Sequence, residues 1–146
     1  MNIGSNIGDR RGYIETAIRL ITEAFPKAIL RRSDMVESEP WGYESSLPFL
    51  NIGIALDYPV DIDPHYLLAT FQDIERRVSP TPHRNADGSY RDRCIDIDII
   101  AIDCLNFSSD TLTIPHPRAA LRPFVMEPLR QLAPAAVIAL VEKAEA

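Results

Sequence analysis

The chain has 146 residues, 46% apolar and 25% charged, with 21 acidic against 15 basic side chains and a net charge of −6. That length suits a single domain, residues 1–146, with a real core. The acidic balance argues against nucleic-acid binding but leaves room for a local basic pocket.

No apolar run approaches the ~20 residues of a membrane span. No basic-then-apolar signal pattern opens the chain. Its two cysteines, Cys94 and Cys104, have neither metal-ligand spacing nor a disulfide framework. A cytoplasmic, monomeric protein is expected.

The elements follow in order. Only Met1-Asn2-Ile3 precede a turn, Gly4-Ser-Asn-Ile-Gly-Asp9, so the first strand is expected to be truncated. Asp9 or Asn6 can cap the next helix, where Ile14, Ala17, Ile18 and Ile21 recur at helical spacing until Phe25-Pro26. Residues 28–37 read as one strand, and 38–48 as a loop. Phe49–Leu56 is an apolar strand interrupted by Asn51. Asp63-Pro64 opens a helix with Leu67, Phe71, Ile74 and Val78 on one face. A long polar loop, 79–91, leads to the run Cys94–Ile102. Thr111–Ile114 is a short strand, and Pro123–Leu132 a helix disturbed by Pro128 and ended by Pro134. Helices interleaved with a strand pair predict an α+β, ferredoxin-like sandwich: a βαββαβ core plus a short C-terminal strand and helix. Its helices are expected to cover one sheet face and leave the other for a site.

Asp96 and Asp98 carry the strongest chemical signal. Side chains alternate along a strand, so both carboxylates share a face, opposite Ile95, Ile97, Ile99 and Ala101. Alternation of this kind also describes a strand with one wet face. Two adjacent carboxylates repel, however, and hard oxygen donors suit Mg²⁺, which takes one or two carboxylates plus substrate phosphates.

The neighbours fit that chemistry. Arg84, Arg91 and Arg93 lie in or beside the long loop, and Arg122 follows; guanidinium groups grip phosphates in bidentate fashion. His116 follows Ile114-Pro115 at a strand end. Asn51 offers both donors and an acceptor to a flat heterocycle, and Phe49, two residues away on the same face, can stack on it. Phe124 reads as core or as a second stacking ring. Gln72 and Glu75, three apart on a helix, read alone as a solvated face.

Taken together, Gly4-Ser5-Asn6-Ile7-Gly8-Asp9-Arg10, Glu39-Pro40-Trp41-Gly42, Phe49-Leu50-Asn51, Asp92-Arg93-Cys94-Ile95-Asp96-Ile97-Asp98-Ile99, Ile114-Pro115-His116-Pro117-Arg118 and Phe124–Leu129 resemble the 6-hydroxymethyl-7,8-dihydropterin pyrophosphokinases of folate biosynthesis. The resemblance implies ATP-dependent transfer of pyrophosphate to the hydroxymethyl group of a reduced pterin, yielding AMP. It implies that Asp96 and Asp98 hold two Mg²⁺ ions, and that Phe49 and Phe124 sandwich the pterin. Asn51, with Ser38, Pro40, Trp41 and Gly42, would read the pterin edge. Gln72, Glu75, Tyr90, Arg93, Ile99, Thr113, His116 and Arg122 would line the ATP site. Arg93 would contact phosphate, and either Asp96 or the metal-lowered acidity of the hydroxyl alone would account for its deprotonation.

The chain departs from the family pattern where Ser79-Pro80 replaces a Gly-Arg pair, which loses a phosphate-binding arginine unless Arg77 or Arg84 substitutes for it. A rival reading is a ferredoxin-like module that binds a pterin or nucleotide without turnover. A metal-dependent phosphoester hydrolase has less support, since no further His/Asp cluster supplies a second metal shell.

Overall fold

A computed structural model describes residues 1–40, 47–79, 86–87 and 94–144. The order is β1 (Asn2–Ser5), α1 (Arg10–Ala24), β2 (Ile29–Arg32), β3 (Val36–Ser38), β4 (Phe49–Asp57), α2 (Pro64–Val78), β5 (Asp96–Asp98), β6 (Phe107–Ser108), β7 (Thr113–Ile114), a 3-10 turn (Ala119–Leu121), α3 (Pro123–Leu132) and α4 (Ala135–Lys143). The fold is α+β. An antiparallel sheet runs β2–β4–β1–β5, with β3 also paired to β4, while β6 and β7 form a separate two-stranded ribbon.

Local chemistry accounts for the helices. The Asp9 carboxylate caps α1 by accepting from the Gly12 N–H at 3.1 Å. Gly8, at φ 71, makes the left-handed turn before it. Ile14, Ala17, Ile18 and Ile21 are buried, as their spacing predicts. Asp63 caps α2, Pro64 sits in its first turn, and Leu67, Phe71 and Ile74 face the core. These residues pack with Ile3, Leu50, Ile52, Ile54, Ile95, Ile97 and Ile99 as one core.

Four expectations are corrected. The first strand is present: Asn2–Ser5 pairs with β4 on one side, while Asn2–Gly4 pairs with β5 on the other. Gly4 and Ser5, read as turn, are ladder residues: Gly4 pairs with both β4 and β5, and Ser5 pairs with β4. The strand expected over 28–37 is broken in two. Arg32 lies opposite Ile54, so a regular ladder would put Met35 opposite Asn51, yet Val36 stands there. One extra residue is inserted, which makes a β-bulge. Ser33 closes it, accepting the Gly53 N–H at 2.8 Å on its hydroxyl.

The run from Cys94 pairs only over Asp96–Asp98. Finally, the second sheet face is partly covered. Helix α3 packs on β4 and β3, and a second cluster of Ile100, Ala119, Val125, Met126, Val137 and Val141 joins it to α4, an element that the residues after Pro134 had not announced.

Gly53 permits the docking of α3. A Cβ there would stand 2.7 Å from Pro128 Cβ and 3.1 Å from a Leu132 methyl. Gly53→Ala is therefore expected to destabilise the chain by about 2 kcal/mol through overpacking, lowering the melting temperature by about 5 °C. A thermal denaturation curve unchanged from the parent would show that α3 does not rest on this glycine.

Candidate active site

Strand register decides which side chains meet. Gly4 is paired with Asn51 on one side and Asp96 on the other, and Asn2 with Gly53 and Asp98. Directly paired residues share a face. Phe49, Asn51, Gly4, Asn2, Asp96 and Asp98 therefore line one surface, and Ile3, Leu50, Ile52 and Ile97 the other. Helix α3 covers the Gly53 end, so Asn51, Gly4 and Asp96 lie in a row beside it.

At the carboxylate end, Glu75 leaves α2 to cap the outer edge of β5. Its Oε2 accepts the Ile97 N–H at 2.9 Å, and its carboxyl is hydrogen-bonded to Asp96. Burial and then the charges of Asp96 and Asp98 push the Glu75 carboxyl up to about 8. It therefore keeps its proton at neutral pH and can donate it to Asp96. The sequence reading of Gln72 and Glu75 as one solvated face fails for half the pair: Gln72 is exposed, but Glu75 is 8% exposed.

Asp96 and Asp98 are half-buried on the shared face. The Arg122 guanidinium, at the N-terminus of α3, stands 3.7 Å from Asp98 Oδ2. His116 is held by its own N–H on the Ile100 carbonyl at 2.8 Å, and its Nδ1 accepts from the Arg118 N–H at 3.2 Å. Burial, with the positive charge of Arg122, pushes its imidazole down to about 4. The ring is therefore neutral, and with Nδ1 used as an acceptor the proton is on Nε2.

At the other end, Asn51 Nδ2 donates to the Val36 carbonyl at 3.1 Å and the Ser38 hydroxyl at 2.8 Å. The bulge makes this possible. Without its extra residue, Met35 and Glu37 would stand opposite Asn51 and Phe49; with it, Val36 and Ser38 do. Glu37 turns to the opposite face, where it meets Arg10 at 2.9 Å. Phe49 is buried, and Phe124 is partly buried against the α3–α4 cluster. Gly4 keeps the row low, since a Cβ would come within 3.1 Å of Asn51 Oδ1 and 3.3 Å of the Phe49 ring.

Other predicted positions are less central. Thr113, with Phe107, Ile114 and Pro115, lines a hollow beside β6–β7. The Ile99 side chain is in the core, leaving only its backbone to meet a ligand. Pro40 is partly buried. Trp41, Gly42, Arg84, Tyr90 and Arg93 lie outside the described residues. Gly4 and Asn2 carried no role in the sequence reading; an isolated Gly in a strand is the signal for close approach. Among the described residues, no group of three or more His, Cys, Asp or Glu side chains could hold a metal alone. Two same-face carboxylates beside the Arg122 guanidinium fit a cation that takes its remaining ligands from a bound phosphate chain.

Residues 1–134 match the family described as 7,8-dihydro-6-hydroxymethylpterin-pyrophosphokinase. The 2-amino-4-hydroxy-6-hydroxymethyldihydropteridine pyrophosphokinase of Porphyromonas gingivalis is 38% identical over 135 residues, covering 92% of this chain and 89% of that one. The Bacillus subtilis protein of the same name is 32% identical over 130 residues, covering 89% and 74%. The Folate synthesis bifunctional protein, mitochondrial, of Pisum sativum is 37% identical over 132 residues, 89% of this chain but 24% of the pea protein. The chain belongs to the 7,8-dihydro-6-hydroxymethylpterin-pyrophosphokinase family.

Proposed function

We propose that this chain transfers pyrophosphate from Mg–ATP to the hydroxymethyl group of 6-hydroxymethyl-7,8-dihydropterin, releasing AMP. The observation that carries the reading is the single sheet face that brings Asp96, Asp98 and Arg122 to one end and Asn51, Ser38 and Phe49 to the other. A phosphate chain and a flat hydrogen-bonding ring need those two ends side by side. A ferredoxin-like sandwich is the scaffold, supported by the order β2–β4–β1–β5 with α1 and α2 packed on one face.

The hydroxymethyl oxygen attacks the β-phosphorus; the bond from that phosphorus to the α-phosphate oxygen breaks, AMP leaves with that oxygen, and the hydroxyl proton passes to water. Asp96 and Asp98 would hold two Mg²⁺ ions, which neutralise the phosphates and make the hydroxyl more acidic when bound. Arg122 and the Nε2–H of His116 face the phosphates as donors. In the metal-free fold Glu75 holds a proton and is hydrogen-bonded to Asp96, which it orients. Phe49 and Phe124 stack on the pterin while Asn51 orients its edge. Positioning and charge neutralisation supply most of the acceleration in phosphoryl-type transfer.

Incubation with Mg–ATP and the pterin is expected to yield AMP only when both are present. Binding of both without AMP would instead mark a non-catalytic module. Phosphate released without the pterin would mark a hydrolase. Asp98→Asn is expected to lower kcat by ~100-fold or more while leaving the circular dichroism spectrum unchanged; a near-parental rate would remove Asp98 from the metal site.

Glu75 also predicts a pH dependence of stability. The folded chain keeps the Glu75 proton to about pH 8, whereas the ordinary value is 4.5. The folded state then binds more protons than the unfolded state across that interval, so the Glu75 contribution to stability falls as pH rises through it. In the presence of a chelator, Glu75→Gln is expected to gain melting temperature relative to the parent between pH 5 and 8, by about 10 °C. A difference that stays flat with pH would show that Glu75 is ionised in the folded chain.

A further inference from the structure

Helix α3 contains Pro128, which has no N–H to donate. The carbonyl four residues back belongs to Phe124 and so lacks its helical donor. The side chain of Asn2, buried in the central strand, fills that place: Nδ2 donates to the Phe124 carbonyl at 3.1 Å. Asn2 is paired with Asp98 on one side and with Gly53 on the other. Gly53 is the residue on which Pro128 rests. The same proline thus seats the helix on the sheet and frees the carbonyl that Asn2 takes up. The first turn of α3 is held at two points, by Asn2 on Phe124 and by Asp98 near Arg122.

We infer that Asn2 is a positioning residue that sets the height of the Phe124 ring above the sheet, through the carbonyl that Pro128 leaves without a helical partner. The inference rests on the proposed role of Phe124 as a pterin-stacking ring. Asn2 touches neither substrate; it acts through the backbone of the residue that does. Loss of its donor lets the Phe124 end of that turn pivot about Arg122, which Asp98 still holds, and widens the slot between Phe124 and Phe49. The phosphate end, anchored by Asp98 and His116, stays in place.

The test pairs Asn2→Ala with Pro128→Ala, which returns an N–H to the helix and gives the Phe124 carbonyl an internal donor. Asn2→Ala is expected to raise the KM for the pterin about tenfold, the cost of one buried hydrogen bond, with the KM for ATP within about twofold. In the Pro128→Ala background, the same substitution is expected to change the pterin KM less than about twofold. Hydrogen exchange over residues 125–132 is expected to quicken in Asn2→Ala and return to the parental rate in the double variant. Because exchange reads the hydrogen bond whatever the site binds, it separates failure of this inference from failure of the proposed function. A parent that makes no AMP with the pterin overturns only the proposed function. If Asn2→Ala does not fold, the double variant is expected to fold and is compared with Pro128→Ala alone. The inference is overturned by a pterin KM that does not move in Asn2→Ala, by pterin and ATP KM values that rise together, by an effect of equal size in both backgrounds, or by a double variant that does not fold.

Discussion

Both halves of the site hang from one four-residue strand. Asn2–Ser5 is fully enclosed, with β4 on one side, β5 on the other and α1 packed against it. Its pairing with β4 fixes where Asn51 and Phe49 stand, and its pairing with β5 fixes Asp96 and Asp98. Side-chain direction alternates along a strand, so a slip of one residue on either side would turn one half of the site into the core. Ile3 prevents that slip: it is completely buried opposite Ile52 and Ile97, and no polar neighbour can take its place without desolvation.

The β5 edge is crowded with carboxyl groups. Three carboxyl groups converge there, and the structure relieves the crowding by leaving one of them, Glu75, protonated and by bringing Arg122 near another. Binding a cation would add to that relief. The same edge needs Glu75 for a second reason, because among the described residues β5 has no further strand beside it in the sheet and its Ile97 N–H points outward. One side chain therefore satisfies a backbone donor and orients a carboxylate.

Much of this was readable from residues alone. The spacing of Ile14, Ala17, Ile18 and Ile21, with Asp9 before them, specifies α1 because a helix buries one stripe and needs a cap. The parity of Asp96 and Asp98 specifies a shared face. Burial of Glu75 was not readable, since it depends on β5 ending in an unpaired edge that only the assembled sheet creates. Nor was the bulge: 28–37 contains no Gly or Pro to mark an inserted residue, and the break shows only in the pairing with β4. The covering of the second face by α3 was hidden for a similar reason, because Gly53 becomes informative only once Pro128 lies against it.

The bulge at Ser33–Met35 has a second effect, on how the chain meets other chains. Strands β2 and β3 form one rim of the sheet, where an unbroken ladder would offer open backbone groups to any extended segment passing by. The extra residue kinks that rim, and Arg31 and Arg32 place two fixed charges along it, tied to Asp57 and Glu15. A passing strand would have to match an interrupted ladder and desolvate guanidinium groups at once. The irregularity that aims Ser38 at Asn51 thus also guards the sheet against edge-to-edge aggregation.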